Sequence, residues 1–295
     1  MPNVAIIGIG RLGGALAIAL SGHGYSVGEL VHRGADNARN IQELLDPHPA
    51  LTAITDDTPI RSEIVLITTP DPEIQAAAAS ISSRLVDHPI VIHTSGSLSS
   101  DILAELRSTG ASVASLHPLV SISDPILGAE KFTNAYFCIE GDDRSVTAAR
   151  EIVLALVGNP FSIDTELKPL YHASAVMASG HFVALEDIAI EMLSKCGLSN
   201  DKAKEILMPL IQSSVENLAA QPNEKALTGT FARADLEAFE RHLASFEGRV
   251  DDDTREIYLL LAQRSLELAE RAGVSTDAVR KLRERIDIAK ENRRC

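Results

Sequence analysis

The first fourteen residues constrain the fold of this 295-residue chain more than any other segment. Asn3 to Ile7 is an apolar run with the length of a buried parallel strand, and Ala15 to Leu20 suits a helix packed on a sheet. Between them lies the sequence GIGRLG, residues 8–13. A strand, a G-x-G-x-x-G turn and a helix, in this order, form the context of the dinucleotide-binding fingerprint.

Each glycine of this turn has its own predicted task. Gly8 permits the tight turn, Gly10 lets a pyrophosphate approach the backbone, and Gly13 lets the helix pack closely on the strand. The helix N-terminus, which begins with Arg11 and Leu12, then offers free N–H groups and a partial positive charge to the phosphates. The alternative is a glycine-rich turn that binds nothing.

The end of the second predicted strand, Val27 to Val31, indicates which dinucleotide is bound. A carboxylate at this position would accept hydrogen bonds from the ribose of NAD, whereas a basic residue accommodates the 2′-phosphate of NADP. Here His32 and Arg33 follow the strand. The Arg33 guanidinium is a fork of donors suited to phosphate, which favours NADP over NAD. The competing interpretation is a solvated loop arginine.

Further short apolar runs alternate with predicted helices up to about Asp164, which is typical of an α/β fold with a doubly wound parallel sheet. The predicted strands continue with Leu51–Ile54, Glu63–Thr68, Pro89–His93, Val113–Leu116, Ala135–Glu140 and Pro160–Ile163. Ligands of such sheets bind beyond the carboxyl ends of the strands. Thr69, Pro70 and Ser95 follow two of these strands and are therefore predicted to line the cofactor groove.

After Asp164 the pattern predicts helices and no further strand, so residues 1–164 form the predicted dinucleotide-binding domain and 165–295 an all-helical substrate and dimerisation domain. The predicted helices are Leu167–Lys195, Asn200–Ala220, Asp235–Glu247, Thr254–Ala272 and Thr276–Glu291. Gly197 and Gly273 lie where helix C-caps are expected.

Polar residues on the largely apolar helix after Tyr171 are the catalytic and substrate-binding candidates. His172, Ser179 and Glu186 recur at spacings of seven and share one face. His172 begins the helix at the predicted domain junction, and imidazole can donate a proton near neutral pH. The equally weighted alternative is a hydrogen-bonded core histidine. A second candidate is Arg233, since an arginine in a loop of small residues can hold a carboxylate or phosphate with two hydrogen bonds.

Net charge and cysteine content disfavour several classes of binding partner and site. A net charge of −14 disfavours a general nucleic-acid or anionic-membrane binder. The three scattered cysteines lack metal-site spacing, so we expect no metal site, no disulfide framework and a reducing, cytoplasmic location. No signal peptide is apparent before the first strand, and no uninterrupted apolar run reaches the ~18 residues of a membrane span.

Six ordered motifs together resemble a known family. They are GIGRLG (8–13), TTPD (68–71), HTSG (93–96), SLHP (115–118), YHASAVMAS (171–179) and ALTGTFARAD (226–235). The chain resembles proteins that join an N-terminal Rossmann-like domain to a helical C-terminal domain of unknown function. These belong to the broad superfamily of pyrroline-5-carboxylate reductase and 6-phosphogluconate dehydrogenase. The resemblance implies NAD(P)-linked oxidoreductase activity and a homodimer built through the helical domains.

The chain departs from that family at three positions, with Gly180 in place of Asn, Thr230 in place of Pro and Ala234 in place of Gly. The first departure removes an amide that could touch cofactor or substrate. It also weakens any transfer of a substrate role from the family.

Two hypotheses of different class follow. In the first, the protein is an NADP-dependent oxidoreductase acting on a small, carboxylate-bearing ketone, imine or hydroxy acid. His172 would supply the proton, Arg233 would anchor the anionic end, Ser179 would contact the substrate, and Ser95 and His117 would line the nicotinamide side. In the second, the protein is a non-catalytic NADP-binding sensor. A methyltransferase is a weaker third hypothesis, because its adenosine site would prefer a carboxylate where His32 and Arg33 stand.

Overall fold

The computed structural model describes residues 1–291, and within them the chain forms two compact units. The N-terminal unit is Met1–Gly180, and the C-terminal unit begins at His181. Contacts thus divide the chain after Gly180, sixteen residues beyond the predicted boundary at 164.

Within the described residues the N-terminal unit contains one eight-stranded sheet with the order β3-β2-β1-β4-β5-β6-β7-β8. The strands are β1 (Asn3–Ile7), β2 (Ser26–His32), β3 (Ala50–Ala53), β4 (Ile64–Ile67), β5 (Ile90–His93), β6 (Ser112–Pro118), β7 (Tyr136–Gly141) and β8 (Asn159–Phe161). The order runs outward from β1 in both directions, as expected for a doubly wound sheet.

The sheet is mostly parallel, and β6 with β7 is its antiparallel pair. The predicted doubly wound parallel sheet is confirmed, and this antiparallel edge is a local exception to it. A parallel neighbour needs a crossover that returns the chain to the starting end of the sheet. The segment after β6 makes only the short helix α4 (Pro125–Ala129) and a 3-10 turn, so β7 starts at the end where β6 finishes.

Helices cover both faces of the sheet because the side chains of each strand alternate between two apolar clusters. Val4, Ile6 and Leu66 face one cluster, and their neighbours Ala5 and Ile7 face the other. The helices of this unit are α1 (Arg11–Gly22), α2 (Ala35–Gln42), α3 (Ile74–Ile81), α4, α5 (Asp143–Ala155) and α6 (Lys168–Ala178). Helices α1 and α5 pack on the first face and α3 on the second.

The predicted helix Leu167–Lys195 is two helices. Helix α6 ends at Ala178, Ser179 leaves the helical region with φ −127° and ψ −78°, and α7 begins at Gly180. Helix α6 belongs to the N-terminal unit because its first residue, Lys168, is fully buried against the sheet. Sequence periodicity carries no sign of this anchor, which explains the displaced boundary.

The C-terminal unit is helical throughout its described residues. Its helices are α7 (Gly180–Ser194), α8 (Asn200–Ala220), α9 (Asn223–Ala226), α10 (Gly229–Ala232), α11 (Leu236–Phe246), α12 (Asp252–Arg271) and α13 (Thr276–Glu291). Phe239, Leu266 and Leu282 lie at the centre of a core formed by α11, α12 and α13. Gly197 and Gly273 adopt positive φ angles of 93° and 88° within three residues of the ends of α7 and α12, as predicted for C-caps.

One helical segment among the described residues, Thr165–Ser194, is long and apolar enough to cross a membrane by length and composition, with a mean hydropathy of 1.3. Only 6% of its most apolar window is buried. The sequence expectation considered uninterrupted apolar runs and did not identify this segment.

Candidate cofactor and catalytic site

A cavity of about 530 Å³ in the N-terminal unit lies at the carboxyl ends of β1, β2 and β4. Six of the predicted cofactor-binding residues line it: Gly8, Gly10, His32, Arg33, Thr69 and Pro70. Parallel strands bring these residues together because their carboxyl ends meet at one edge of the sheet.

The three glycines of the turn meet three different environments. Gly8 has a φ of +96°, and a Cβ there would lie 2.8 Å from Thr69 Cγ2. A Cβ on Gly13 would overlap the carbonyl oxygen of Gly8 and the hydroxyl of Thr68. A Cβ on Gly10 would meet no heavy atom within 4 Å, so its surroundings are open toward the cavity. This geometry suits the turn, the close packing and the phosphate approach, respectively.

Two residues that line the cavity each have a buried polar side-chain atom without a hydrogen-bond partner within residues 1–291. The atoms are His32 Nδ1 and Thr69 Oγ1. A buried polar group without a partner costs about 1–3 kcal/mol, which a ligand can recover by supplying the missing hydrogen bond. The residues present therefore fit a polar, phosphate-bearing dinucleotide.

Arg33 lies at the rim of the cavity and forms an ion pair with Glu73, with 2.5 Å between Nη2 and Oε2. The two side chains are 68% and 36% exposed, and such a pair contributes only about 0–1 kcal/mol. The guanidinium can therefore exchange Glu73 for a phosphate at small cost. Asn37, in the first turn of α2, also lines this end of the cavity and was not identified from the sequence.

The other predicted cofactor residues lie beside the cavity rather than in its lining. Arg11 is exposed at the start of α1, and Leu12 packs against the core. The Ser95 hydroxyl donates a hydrogen bond of 2.8 Å to Asp71 Oδ2 and accepts bonds from the amides of Ser97 and Leu98. Ser95 thus ties together the loops after β4 and β5.

The predicted residues His117 and His172 meet in a second cluster of the same unit. Their ring centroids are 5.7 Å apart, and His117 Nδ1 lies 2.7 Å from the hydroxyl of Tyr171. Gly96 packs against both rings, since a Cβ there would lie 2.5 Å from His172 Cδ2 and 2.7 Å from His117 Nε2. Because Gly96 follows Ser95, and Asp71 follows the cavity residue Pro70, this cluster adjoins the cavity.

Burial sets the protonation states in the cluster. Burial first, and then the charges of His172 and Lys168, lower the pKa of His117 to about 4, so its imidazole is neutral at pH 7. Burial raises the pKa of Tyr171, so its phenol keeps its proton. Tyr171 lies in the motif YHASAVMAS (171–179), but no sequence pattern distinguished it from a packing residue.

His93 stands nearby and has both ring nitrogens occupied. Its Nδ1 accepts from the amide of Ser95 at 3.1 Å, and Nε2 lies 3.1 Å from the carbonyl oxygen of Ser99. Burial, followed by the charge of Lys168, lowers its pKa to about 4. With no free nitrogen, His93 supports the loop after β5 rather than a ligand.

A buried lysine anchors α6 to the sheet. Lys168 is fully buried, its Nζ lies 2.6 Å from Ser115 Oγ, and it forms a 3.3 Å ion pair with Glu140 Oε1. Glu140 also accepts from the amide and hydroxyl of Ser100. This network holds the first turn of α6, and with it Tyr171 and His172, against β6 and β7. Helical periodicity could not predict it, because it pairs residues distant in sequence.

The remaining substrate-binding candidates, Ser179 and Arg233, lie outside the cavity lining and the histidine cluster. The Ser179 hydroxyl donates to the carbonyl oxygen of Ala175 at 2.7 Å, at the end of α6. Arg233 is exposed after α10 in the C-terminal unit. Among residues 1–291 no group of three or more histidine, cysteine or acidic side chains could hold a metal ion.

Comparison with known proteins supplies two family matches. Residues 2–118 match a Rossmann-like domain, and residues 135–265 match a domain of unknown function, DUF2520. No curated protein matches the chain significantly.

Solved structures resemble the chain over most of its length. A protein from Thermotoga maritima is 27% identical, with a TM-score of 0.70 over 91% of this chain and 99% of that one. A proposed NADP oxidoreductase from Bacteroides fragilis is 20% identical, with a TM-score of 0.72 over 90% and 98%. Pyrroline carboxylate reductase from Plasmodium falciparum, solved with NADP bound, is 12% identical, with a TM-score of 0.58 over 92% and 96%.

Proposed function

The chain carries a Rossmann-like domain followed by a DUF2520 domain, and from this premise we propose that it is an NADP-dependent oxidoreductase. Its substrate would be a small ketone, imine or hydroxy acid that bears a carboxylate. Similar folds include reductases whose structures contain NADP or NADPH, which supports the cofactor assignment.

The observation that carries this proposal is the cavity at the carboxyl ends of β1, β2 and β4. It combines an open backbone at Gly10 with unpartnered polar atoms on His32 and Thr69. A dinucleotide pyrophosphate would lie along the turn at the N-terminus of α1, where backbone N–H groups and the helix dipole favour negative charge.

The preference for NADP rests on Arg33. When the weak pair with Glu73 opens, the guanidinium offers charge-assisted hydrogen bonds to a 2′-phosphate, each contributing about 1.5–3 kcal/mol. NAD has no phosphate at this position. We therefore expect tighter binding of NADP than of NAD.

Titration calorimetry with both dinucleotides tests this proposal. Arg33→Ala should weaken NADP binding by about 10- to 150-fold, from the loss of one charge-assisted bond, and leave NAD binding nearly unchanged. Glu73→Gln should strengthen NADP binding, because it releases Arg33. Arg150→Ala, on the exposed surface of α5, is the matched control. Tighter binding of NAD than of NADP would overturn the assignment.

NADPH would supply the hydride, and the residues of the chain would bind, orient and protonate the substrate. His172, or a water molecule that it orients, would donate the proton to the developing alkoxide or amine. Its ring borders Gly96 and the loop after β5, next to the cavity. Ser179, at the end of α6, would contact the substrate.

Turnover separates an enzyme from a sensor. Oxidation of NADPH with a panel of carboxylate-bearing ketones and imines should reveal activity, and His172→Ala should reduce it. NADPH binding without turnover across a broad panel would instead favour the sensor.

A homodimer is the expected assembly, built through the exposed apolar faces of α7 and α8. Val183 and Leu185 on α7, and Leu210 and Leu218 on α8, are 39–63% exposed. A membrane is a poorer partner, because the protein carries a net charge of −14 and Glu186 and Asp187 lie within α7. A second copy would cover these faces without placing carboxylates in hydrocarbon.

Sedimentation velocity at micromolar concentration should give a dimer. The double substitution Val183→Glu and Leu210→Glu should give monomers, because it places charges in the apolar interface. Leu154→Glu, on an exposed apolar residue of α5, should remain dimeric. A wild-type protein that sediments as a monomer would refute the assembly.

A further inference from the structure

In the cluster formed with His172 and Tyr171, His117 has one ring nitrogen with a hydrogen-bond partner and one without, in the part of the chain that the structure describes. Nδ1 lies 2.7 Å from the Tyr171 hydroxyl, and the two rings meet edge to face at 5.5 Å. Within residues 1–291 no hydrogen bond engages Nε2, which points to the side of Gly96 and His172. His93 differs because both of its nitrogens are occupied.

Acidity favours placing the shared proton on the Tyr171 oxygen. A phenol is the stronger acid and an imidazole nitrogen the stronger acceptor, so O–H donating to Nδ1 is the favoured arrangement. The Tyr171 hydroxyl has this one hydrogen bond among the described residues, and the opposite arrangement would leave its half-buried O–H unsatisfied. A neutral His117 must then carry its own proton on Nε2.

The charges around His117 keep it neutral. Burial lowers the pKa of His117 most, and the charges of His172, Lys168 and His93 lower it further. The charge of Asp71 raises it. Lys168 is itself paired with Glu140. The net effect places the pKa of His117 at about 4, well below neutral pH.

We propose that His117 is a catalytic hydrogen-bond donor whose Nε2–H binds the carbonyl oxygen of a ketone substrate, and that Tyr171 is the positioning residue that fixes this tautomer. The proposal rests on the proposed function, and it narrows the substrate class. A neutral N–H donor stabilises an electron-rich oxygen and repels the N–H of a protonated imine, so it selects ketones over iminium ions.

In this reduction NADPH would supply the hydride with its electron pair to the carbonyl carbon and would become NADP⁺, while the C=O π pair would move to oxygen. His172 or its water would donate one proton to that oxygen, giving an alcohol. His117 keeps its proton and stabilises the negative charge as it develops, as neutral imidazoles do in other enzymes.

Nitrogen NMR of the full-length protein with ¹⁵N-histidine reports the tautomer directly, and His117→Gln assigns the signal among nine histidines. The wild type should show the Nε2–H tautomer at pH 7 and keep it to about pH 5. Tyr171→Phe should produce a mixture that includes the Nδ1–H tautomer. A wild-type Nδ1–H tautomer, or a Tyr171→Phe spectrum identical to wild type, would overturn the proposal.

A second tyrosine–histidine pair supplies the control. In the C-terminal unit the Tyr258 hydroxyl lies 2.7 Å from His242 Nδ1, the same distance as in the site. Tyr258→Phe should change the His242 signal and leave the His117 signal as in the wild type. This comparison separates an effect on His117 from a general loss of structure.

Turnover tests the role of the donor. His117→Asn reaches toward Tyr171 but withdraws the Nε2 donor, and it should lower kcat for 2-oxo acids by about 10²- to 10³-fold. His117→Gln, whose amide reaches the Nε2 position, should recover part of the loss. Faster turnover of 1-pyrroline than of any 2-oxo acid would overturn the substrate class.

NADPH binding, measured by fluorescence in the same samples, separates the proposed function from the role of His117. A protein with the Nε2–H tautomer that does not bind NADPH refutes the proposed function. A protein that binds NADPH but shows the Nδ1–H tautomer refutes the role of His117 alone.

Discussion

Gly10→Ala should separate cofactor binding from folding. Gly10 precedes α1 with φ −91° and ψ −159°, a conformation open to alanine, and an added Cβ meets no heavy atom within 4 Å. An alanine at a helix N-cap costs about 0.5–1 kcal/mol relative to glycine, and the loss of unfolded-state freedom offsets a similar amount. The free energy of unfolding should therefore stay within about 1 kcal/mol of wild type.

The effect on the cofactor should be larger. The new methyl group would project into the space that a pyrophosphate needs beside the turn and would push it away from the backbone N–H groups. Loss of one charge-assisted hydrogen bond costs about 1.5–3 kcal/mol, which corresponds to a 10- to 150-fold increase in Kd for NADP.

Two other glycines provide the comparison. A Cβ on Gly13 overlaps the carbonyl oxygen of Gly8, so Gly13→Ala should separate α1 from β1 and destabilise the fold by about 1–3 kcal/mol. Gly22→Ala, at the far end of α1, also adds a Cβ that meets no heavy atom within 4 Å. It should change neither the Kd for NADP nor the free energy of unfolding.

Calorimetric titration with NADP and chemical unfolding of all three variants measure the two quantities. If Gly10→Ala bound NADP with the wild-type Kd, the pyrophosphate would not lie at this turn and the reasoning would fail. If Gly10→Ala unfolded as readily as Gly13→Ala, the turn would be a purely structural feature.

Val157 adopts a φ of 58° after α5 although it is β-branched and 55% exposed, so Val157→Gly should raise stability by about 1 kcal/mol and Tm by a few degrees in calorimetry. His93 has its pKa lowered to about 4, so the unfolded state binds more protons between pH 6.5 and 4. The contribution of neutral His93 to the free energy of unfolding, up to about 3 kcal/mol, is present above pH 6.5 and is lost as the pH falls toward 4. Urea titrations at several pH values should show a smaller loss in His93→Gln. Lys168→Met leaves Glu140 buried and unpaired and should cost about 3–5 kcal/mol, much of which the double variant with Glu140→Gln should recover in denaturant unfolding.

The strands of the sheet were predictable because each is a short apolar run with its own local signal. β1 has the predicted bounds Asn3–Ile7, and β5 and β7 begin one residue late. The cavity residues that follow strands, such as Thr69 and Arg33, were predictable for a related reason, since the fold places all carboxyl ends at one edge.

The antiparallel pairing of β6 with β7 was not predictable from local pattern, because strand direction depends on where the connecting segment returns. The break at Ser179 lies within a continuous helical periodicity and shows only in the backbone angles. Asn37 carried no signal beyond its place in an ordinary helix, and its position at the cavity follows from the path of α2.

The sequence by itself determined the Rossmann-like turn, the alternating layers and the helical second half, because each depends on residues close together in the chain. Only the tertiary structure decided that His117 is the histidine with one ring nitrogen engaged by a tyrosine and the other without a hydrogen bond among the described residues. His117, Tyr171 and Lys168 come from separate elements, and their burial and hydrogen bonds arise only when α6 packs on the sheet. Protonation states depend on such long-range contacts, so no local pattern of residues could specify them.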